Sequence, residues 1–234
     1  MSRKRLSKRM STAIQGIDKS SYYSSIDAIK LLQASSGLLK FDPSFEAYIK
    51  IGLDMKKLGT TIRGMVSLPA GIGTQTSVAV ICRDENKILE AKEAGADVVG
   101  GQDLIESIKA GNINFKICIA TPDMMASIGS IARILGPKGL MPNPKLGTVT
   151  NNISQVVKEF KAGKVEFKVD KAGFINAKIG KASFSAEDIN SNLSALLASI
   201  SKAKPENTKG KYLSYGFVSY TMGPALKIKH ETFS

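Results

Sequence analysis

The side chains best placed to do chemistry in this chain are cations. Arg133, Lys138 and Lys145 are the only charges in the stretch Arg133-Ile-Leu-Gly-Pro-Lys-Gly-Leu-Met-Pro-Asn-Pro-Lys-Leu-Gly-Thr-Val-Thr150, and no acidic residue occurs from Met124 to Lys158. An anion would meet this stretch without local competition. Pro137, Pro142 and Pro144 remove three backbone donors, and Gly136, Gly139 and Gly147 open conformations closed to other residues, so neither helix nor ladder runs through it. A long, stiffened loop results, and Leu140, Met141 and Leu146 argue against disorder. Two readings fit: an anion-binding loop, or a rigid connector whose apolar residues plug a core.

Other chemistries lack their parts. Cys82 and Cys118 lie in the apolar runs Val78–Cys82 and Ile117–Ala120, and His230 is the only histidine, so no metal set is expected and both cysteines read as reduced core residues. That usage fits a reducing compartment. A general base would have to be an acid or a lysine. Gly71-Ile-Gly73-Thr-Gln-Thr76 lacks the third glycine of a dinucleotide fingerprint and precedes a strand where it should follow one. Gly95-Ala-Asp-Val-Val-Gly-Gly101 resembles phosphate-binding turns of α/β enzymes, but the proline-rich loop does not end in the Gly-Lys-Ser or Gly-Lys-Thr of a P-loop. These motifs alone point to no cofactor or small-molecule site; that no cofactor, small-molecule substrate or catalytic residue is expected rests mainly on the family resemblance given below.

With 33 Lys plus Arg against 20 Asp plus Glu, the net charge is +13, in a chain that is 43% hydrophobic. Such a protein folds and meets a polyanion, either nucleic acid or an acidic membrane. No apolar run approaches the roughly 20 residues of a membrane span, and no obvious basic amphipathic helix appears, which favours nucleic acid. Met1-Ser-Arg-Lys-Arg-Leu-Ser-Lys-Arg-Met10 reads either as the start of a mitochondrial presequence or as a retained basic arm that contacts phosphate. The family resemblance described below, which begins at about Arg3, favours the arm, and no secretory h-region follows the charged start.

Periodicity gives the supporting elements. Ser25 is expected to cap a helix from Ile26 to about Gln33, with Ile26, Ile29 and Leu32 on one face and Gly37 past its end. From Phe45 to Asp54 apolar and polar residues alternate, as in a half-buried strand. Short apolar runs at Val78–Cys82, 97–99 and 115–120 then alternate with helical stretches at 85–94, 103–110 and 124–135, which implies βαβ units and a mostly parallel sheet. A helix at 153–162 ends at Gly163. Alternation resumes at Val165–Val169, and Lys171-Ala-Gly173 turns into Phe174–Ile179, consistent with a hairpin. Ser185 and Asp188 resemble a capping box for a helix carrying Ile189, Leu193, Leu196, Leu197 and Ile200 and stopped by Pro205. The last strands are expected at 212–220 and 225–229.

The simplest organisation is two domains. Residues 1–70 and 164–234 form one α+β domain, and residues 71–163 form an α/β domain inserted into it, with Leu68–Gly73 and Ala162-Gly163 as paired hinges. The fold class expected is α+β and α/β.

Three blocks carry a resemblance over about Arg3 to Lys229. Gly136–Thr148, preceded by Ala120-Thr-Pro-Asp-Met-Met125, is similar to the signature of the ribosomal protein L-one family; Thr221-Met-Gly-Pro224 and Lys40-Phe-Asp-Pro-Ser-Phe-Glu46 resemble that family's RNA-contact segments, in the family's order. The resemblance implies an antiparallel split-βαβ (ferredoxin-like) domain from both chain ends with a Rossmann-like three-layer domain inserted. It implies a non-enzymatic, rRNA-binding protein of the mobile stalk of the large subunit that assists release of exit-site tRNA. In bacterial members the same surface represses translation of the protein's own mRNA through its leader. The location implied is the cytoplasmic ribosome of a bacterium, with the mitochondrial matrix as the alternative.

Carried over by motif, the RNA-binding residues are Lys40, Phe41, Ser44, Glu46, Glu166, Lys168, Lys171, Thr221, Met222 and Gly223. Arg133, Lys138 and Lys145 form a secondary RNA or tRNA surface. A carboxylate accepts from a ribose 2′-hydroxyl or a base amino group, which a lysine cannot do, so Glu46 and Glu166 are compatible with RNA. Read without the resemblance, each is an ordinary solvent-facing strand residue. The chain departs from many bacterial relatives at Lys168-Val-Asp170, where they carry Arg-Asn-Asp, and at Thr74-Gln75-Thr76, where they carry a basic residue.

Overall fold

The computed structural model describes residues 7–18, 20–52, 62–205 and 212–229. Residues 1–6 of the expected arm, Leu53 and Asp54 of the expected strand, and His230 lie outside them. The chain is mixed α and β and divides into two compact units, residues 1–73 with 165–234, and residues 74–164.

In chain order, the first unit opens with helix α1 (Lys8–Ile14), strand β1 (Tyr22–Tyr23), helix α2 (Ser25–Ser36), and strands β2 (Ser44–Ile51) and β3 (Arg63–Ser67). Ser24, not Ser25, caps α2: its hydroxyl oxygen accepts the Asp27 N–H at 3.2 Å and donates to the Asp27 carboxylate at 2.6 Å. Ser24 wins because Asp27 stands three residues after it, whereas Ala28 stands three after Ser25. Along β2, Phe45, Ala47, Ile49 and Ile51 are buried and the residues between them half-exposed.

The second unit follows. Strands β4 (Val78–Ile81), β5 (Val98–Gly100) and β6 (Ile117–Ala120) form a parallel sheet in the order β5-β4-β6, connected by α3 (Glu85–Glu93) and α4 (Gln102–Lys109). The helix expected over 124–135 is broken. It comprises a 3₁₀ turn at Pro122–Met124, α5 (Met125–Ile128), a second 3₁₀ turn at Gly129–Ile131, and α6 (Ala132–Leu135). Met124, Ile128, Ile131 and Leu135 still share one buried face. The break falls at Gly129-Ser130, where glycine is a poor helix former and the Ser130 hydroxyl donates to the Ser127 carbonyl at 2.8 Å. Helix α7 (Ile153–Ala162) ends at Gly163, whose φ of 118° favours glycine.

The return to the first unit brings β7 (Lys164–Lys168), β8 (Phe174–Lys181), α8 (Ala186–Lys202), β9 (Leu213–Tyr220) and β10 (Ala225–Ile228). Asp170 makes the expected turn, its carboxylate accepting the N–H groups of Ala172 and Phe174. The expected hairpin closes only at its turn, where the Asp170 N–H donates to the Phe174 carbonyl at 2.8 Å. β7 pairs with β3 in a two-stranded sheet, β8 pairs with β2, and a single bridge, Val169 to Ile175, joins the two runs. The Val169 N–H goes to the Ile62 carbonyl instead, so the ladder is taken by a strand a hundred residues earlier.

The main sheet of this unit runs β1-β10-β9-β2-β8, antiparallel except for the β1–β10 edge. One face meets α2 and α8 in a core built from Ile29, Leu32, Phe45, Ile49, Ile175, Ile189, Leu193, Leu196 and Val218. Asn192, fully buried on α8, accepts the Ala70 N–H at 3.0 Å and donates to the carbonyls of Gly71 (3.0 Å) and Ile179 (2.8 Å). It ties the 68–73 turn to the sheet. Cys82 and Cys118 are buried free thiols, and burial pushes Cys118 up to about 12.

Candidate nucleic-acid interface

The first unit gathers one group of candidate residues at one end of its sheet. The β9–β10 turn, Thr221–Pro224, docks on the start of β2 through Ser44. The Thr221 N–H donates to the Ser44 carbonyl at 2.9 Å, the Thr221 hydroxyl donates to the same oxygen at 3.2 Å, and the Ser44 N–H donates back to that hydroxyl at 3.2 Å. This hydroxyl, bonded to both the N–H and the carbonyl of Ser44, positions the turn.

The turn is shaped by two neighbours of opposite character. Met222 is the one non-glycine residue with positive φ among the described residues, at 64°, and its side chain is 63% exposed. Gly223 is pressed on by the ring of Tyr220, which would lie 2.3 Å from a Cβ at that position. Tyr220 is fixed by its hydrogen bond to the Ser35 carbonyl and by the Phe45 ring 6.0 Å away. The Arg9 guanidinium donates to the Met222 carbonyl at 3.2 Å. Arg9 is thus a cation at the turn that the motifs did not single out, although it lies in the basic arm read from the sequence.

Lys40 and Phe41 are exposed in the loop that enters β2. That loop is held by Asp42, whose carboxylate accepts the Ser183 N–H (3.1 Å), the Ser183 hydroxyl (3.0 Å) and Lys181 (3.3 Å). Burial opposes ionisation of Asp42, but the bonds from Ser183 and Lys181 outweigh it and keep the carboxyl below its ordinary value. Glu46 is half-exposed on β2, and its Oε2 accepts from the Tyr48 hydroxyl at 3.2 Å. Desolvation and the Glu46 charge together push the Tyr48 phenol up.

The remaining first-unit candidates stand elsewhere. Glu166 and Lys168 are exposed on β7, in the two-stranded sheet, with no hydrogen bond or ion pair to the Ser44–Thr221 group among the described residues. Desolvation raises the Glu166 carboxyl against the pull of Arg63 and Lys168. Lys171 lies in the exposed turn before β8. Because Phe174 registers with Lys50, six residues along β2 from Ser44, Lys171 is near the opposite end of the sheet, about 20 Å along the strand.

In the second unit Arg133, Lys138 and Lys145 are all exposed. Arg133 is on α6, and the loop beyond it is rigidly built. The Asn143 carboxamide accepts the Lys145 N–H at 2.9 Å, Thr148 closes on Asn143 from both sides, and Val149 pairs with Ala120 at the edge of β6. Leu146 and Pro142 are buried. The loop is therefore a stiff connector plugged into the core, as the second sequence reading expects, and its cations face solvent. A cleft of about 540 Å³ at the ends of β4 and β6 is lined by Arg83, Asp84, Lys87, Thr121 and Asp123, and Asp84 lies 3.9 Å from Lys87. No group of three or more metal-binding side chains occurs among the described residues.

These features define a basic α+β protein whose candidate residues offer cations, backbone groups and two carboxylates, Glu46 and Glu166, rather than a nucleophile with its base. A model of the Ribosomal protein L1p/L10e family matches residues 31–224. The large ribosomal subunit protein uL1 of Rickettsia peacockii (strain Rustic) is 49% identical over 221 residues, 94% of this chain and 92% of that protein, and that of Rickettsia conorii gives the same figures. The uL1 of Rickettsia prowazekii (strain Madrid E) is 49% identical over 222 residues, 95% and 92% of the two chains. The chain belongs to the ribosomal protein L1p/L10e family. It is a ribosomal protein of the large subunit and not an enzyme, and these relatives are bacterial.

Proposed function

We propose that this protein binds large-subunit rRNA directly in a bacterial cytoplasmic ribosome, through the end of the main sheet where Lys40, Phe41, Ser44, Glu46, Thr221, Met222 and Gly223 meet. The observation that carries the reading is the Ser44–Thr221 junction, which brings two segments far apart in sequence into one exposed surface. Arg9 and Lys40 supply attraction to phosphate, while Glu46 and the backbone of the turn discriminate sugar and base edges. Glu166, Lys168 and Lys171 extend the contact over a larger area of the same unit.

On this reading the first unit is the primary RNA-binding domain, a split-βαβ fold, and the second is a Rossmann-like insertion. Its Arg133, Lys138 and Lys145 make secondary contacts with rRNA or with exit-site tRNA as the stalk guides it out. Repression of the protein's own mRNA follows if its leader copies the rRNA site.

The test is a titration of stalk rRNA and of random RNA of equal length across a range of salt. Affinity for both should fall as salt rises, and selectivity for the stalk RNA should survive at physiological salt. Equal affinity for the two RNAs would reduce the protein to a non-specific cation.

A further inference from the structure

The core-facing side of the main sheet is filled by α2 and α8, but its other side carries an unusual set of side chains. Strand register places them in rows. The central row runs Asn176, Tyr48, Phe217, Lys227, Tyr22 across all five strands. Beside it lies Phe174, Lys50, Tyr215, and on the other flank Lys178, Glu46, Ser219, Ala225. All of these side chains are exposed or half-exposed, Tyr22 at 57% and Tyr215 at 39%.

The rings and lysines are already organised. Tyr215 packs edge-on against Phe217 (5.6 Å, 86°) and Phe174 (6.3 Å, 70°). Lys50 lies over Phe174 at 4.7 Å, with its ammonium also bonded to the Ala172 carbonyl, and Lys227 lies over Tyr22 at 5.4 Å. Holding the rings this way lowers the side-chain entropy lost when a flat ligand stacks on them.

We infer that this face is a stacking platform for unpaired bases of single-stranded RNA, with Tyr215, Phe217 and Tyr48 taking bases and Lys50, Lys178 and Lys227 meeting phosphates. Adjacent central strands bearing exposed aromatics are the arrangement by which an antiparallel sheet stacks two or three bases. Charge chooses the occupant. Each row contains a lysine within it, whereas the centre of a protein–protein interface is depleted of lysine. A second copy of a chain with net charge +13 would be repelled. Glu46 joins this face to the Ser44–Thr221 end, so RNA held there has a continuous path onto the rings. The inference rests on the RNA-binding reading but adds a site with a different ligand, unpaired bases.

The test uses the full chain and a fluorescent, unstructured oligouridylate, read by anisotropy at physiological salt. Tyr215→Leu combined with Phe217→Leu removes the rings, keeps apolar bulk and leaves the charge untouched. It should weaken oligouridylate binding by about tenfold or more with an unchanged salt slope. Thr221→Ala with Met222→Ala should keep oligouridylate affinity and lose stalk-rRNA selectivity. Ultraviolet crosslinking of oligouridylate to the wild-type chain should map to Tyr215, Phe217 or Tyr48, a readout independent of any variant's folding. Wild-type affinity in the leucine variant, equal competition by polyglutamate, or crosslinks confined to other segments would overturn the platform. If stalk-rRNA selectivity is intact while the leucine variant is silent, only the platform falls; if wild-type protein lacks rRNA selectivity, the primary reading falls.

Discussion

Ser44 and Thr221 stand 177 residues apart and exchange three hydrogen bonds, two of them through the threonine hydroxyl. Thr221→Val keeps the shape and β-branch and removes both hydroxyl bonds. The expected cost is about 1 kcal/mol of stability, since the pair is exposed and water replaces part of what is lost. Stalk-rRNA selectivity should fall further than stability does, and Thr221→Ser should restore both. Urea unfolding and RNA titration on the same preparations separate the two effects.

Met222 and Gly223 should respond to substitution with opposite signs. Met222→Gly relieves a left-handed backbone that costs a non-glycine residue about 1 kcal/mol, so it should be neutral or stabilising while weakening RNA selectivity. Gly223→Ala forces a Cβ against the Tyr220 ring, which cannot swing away without losing Ser35 and Phe45. A loss of about 1 to 3 kcal/mol is expected. Thermal unfolding of the two variants checks the ordering.

Asp42 ties acid stability to the loop that presents Lys40 and Phe41. Its folded carboxyl lies below the ordinary 3.8, so the stability it contributes is complete above that value and is lost as pH falls through the depressed folded value. Asp42→Asn should therefore be less stable than wild type at neutral pH and should converge with it in acid. Parallel curves at all pH values would show that the charge of Asp42 contributes nothing.

Much of this architecture was legible because burial imposes a period. The alternation in β2, the helix at 153–162 with its glycine stop, and the apolar stripe of α8 all follow from one face meeting a core. What escaped was set by partners distant in sequence or by competition between local rules. β7 and Phe174–Lys181 alternate like a hairpin, yet their ladders go to β3 and β2. Met124–Leu135 keeps a helical face through a chain that Gly129 and Ser130 break. Ser24-X-X-Asp27 repeats the pattern of Ser185-X-X-Asp188, but the adjacent Ser25 offers a competing cap that the sequence alone does not rule out. In the candidate site, Thr221 and Met222 were marked by motif, but nothing local shows that Arg9 reaches the Met222 carbonyl. The aromatic rows on the open face needed strand register, which a sequence of single strands does not contain.

Asn192 shows how much a buried polar residue on an apolar stripe can hold. Its carboxamide satisfies Ala70, Gly71 and Ile179 at once. Asn192→Leu would leave the part-buried Ala70 N–H and Gly71 carbonyl and the buried Ile179 carbonyl without this partner, and a loss of about 1 to 3 kcal/mol is expected. The effect should concentrate at the 68–73 turn, so hydrogen exchange at Ala70 should accelerate more than at the β2 amides.

The two compact units lead to the last prediction. The first unit has its own core, in which Ile29, Phe45, Ile175, Leu193 and Val218 pack together, and the second has another around Ile81, Ile105, Ile128 and Leu135. A protein in which Gly73 is joined to Val165 by a short Gly/Ser linker should therefore fold cooperatively, because no first-unit core residue is removed. If the Ser44–Thr221 end is the principal RNA reader, this shortened protein should keep selectivity for stalk rRNA. Some affinity should be lost, because Arg133, Lys138 and Lys145 go with the deleted unit and each lost phosphate contact lowers the salt slope by about one. Residues 74–164 alone should bind RNA weakly and without selectivity. Selective binding confined to residues 74–164 would make the proline-rich loop the principal reader and remove the Ser44–Thr221 junction from that role.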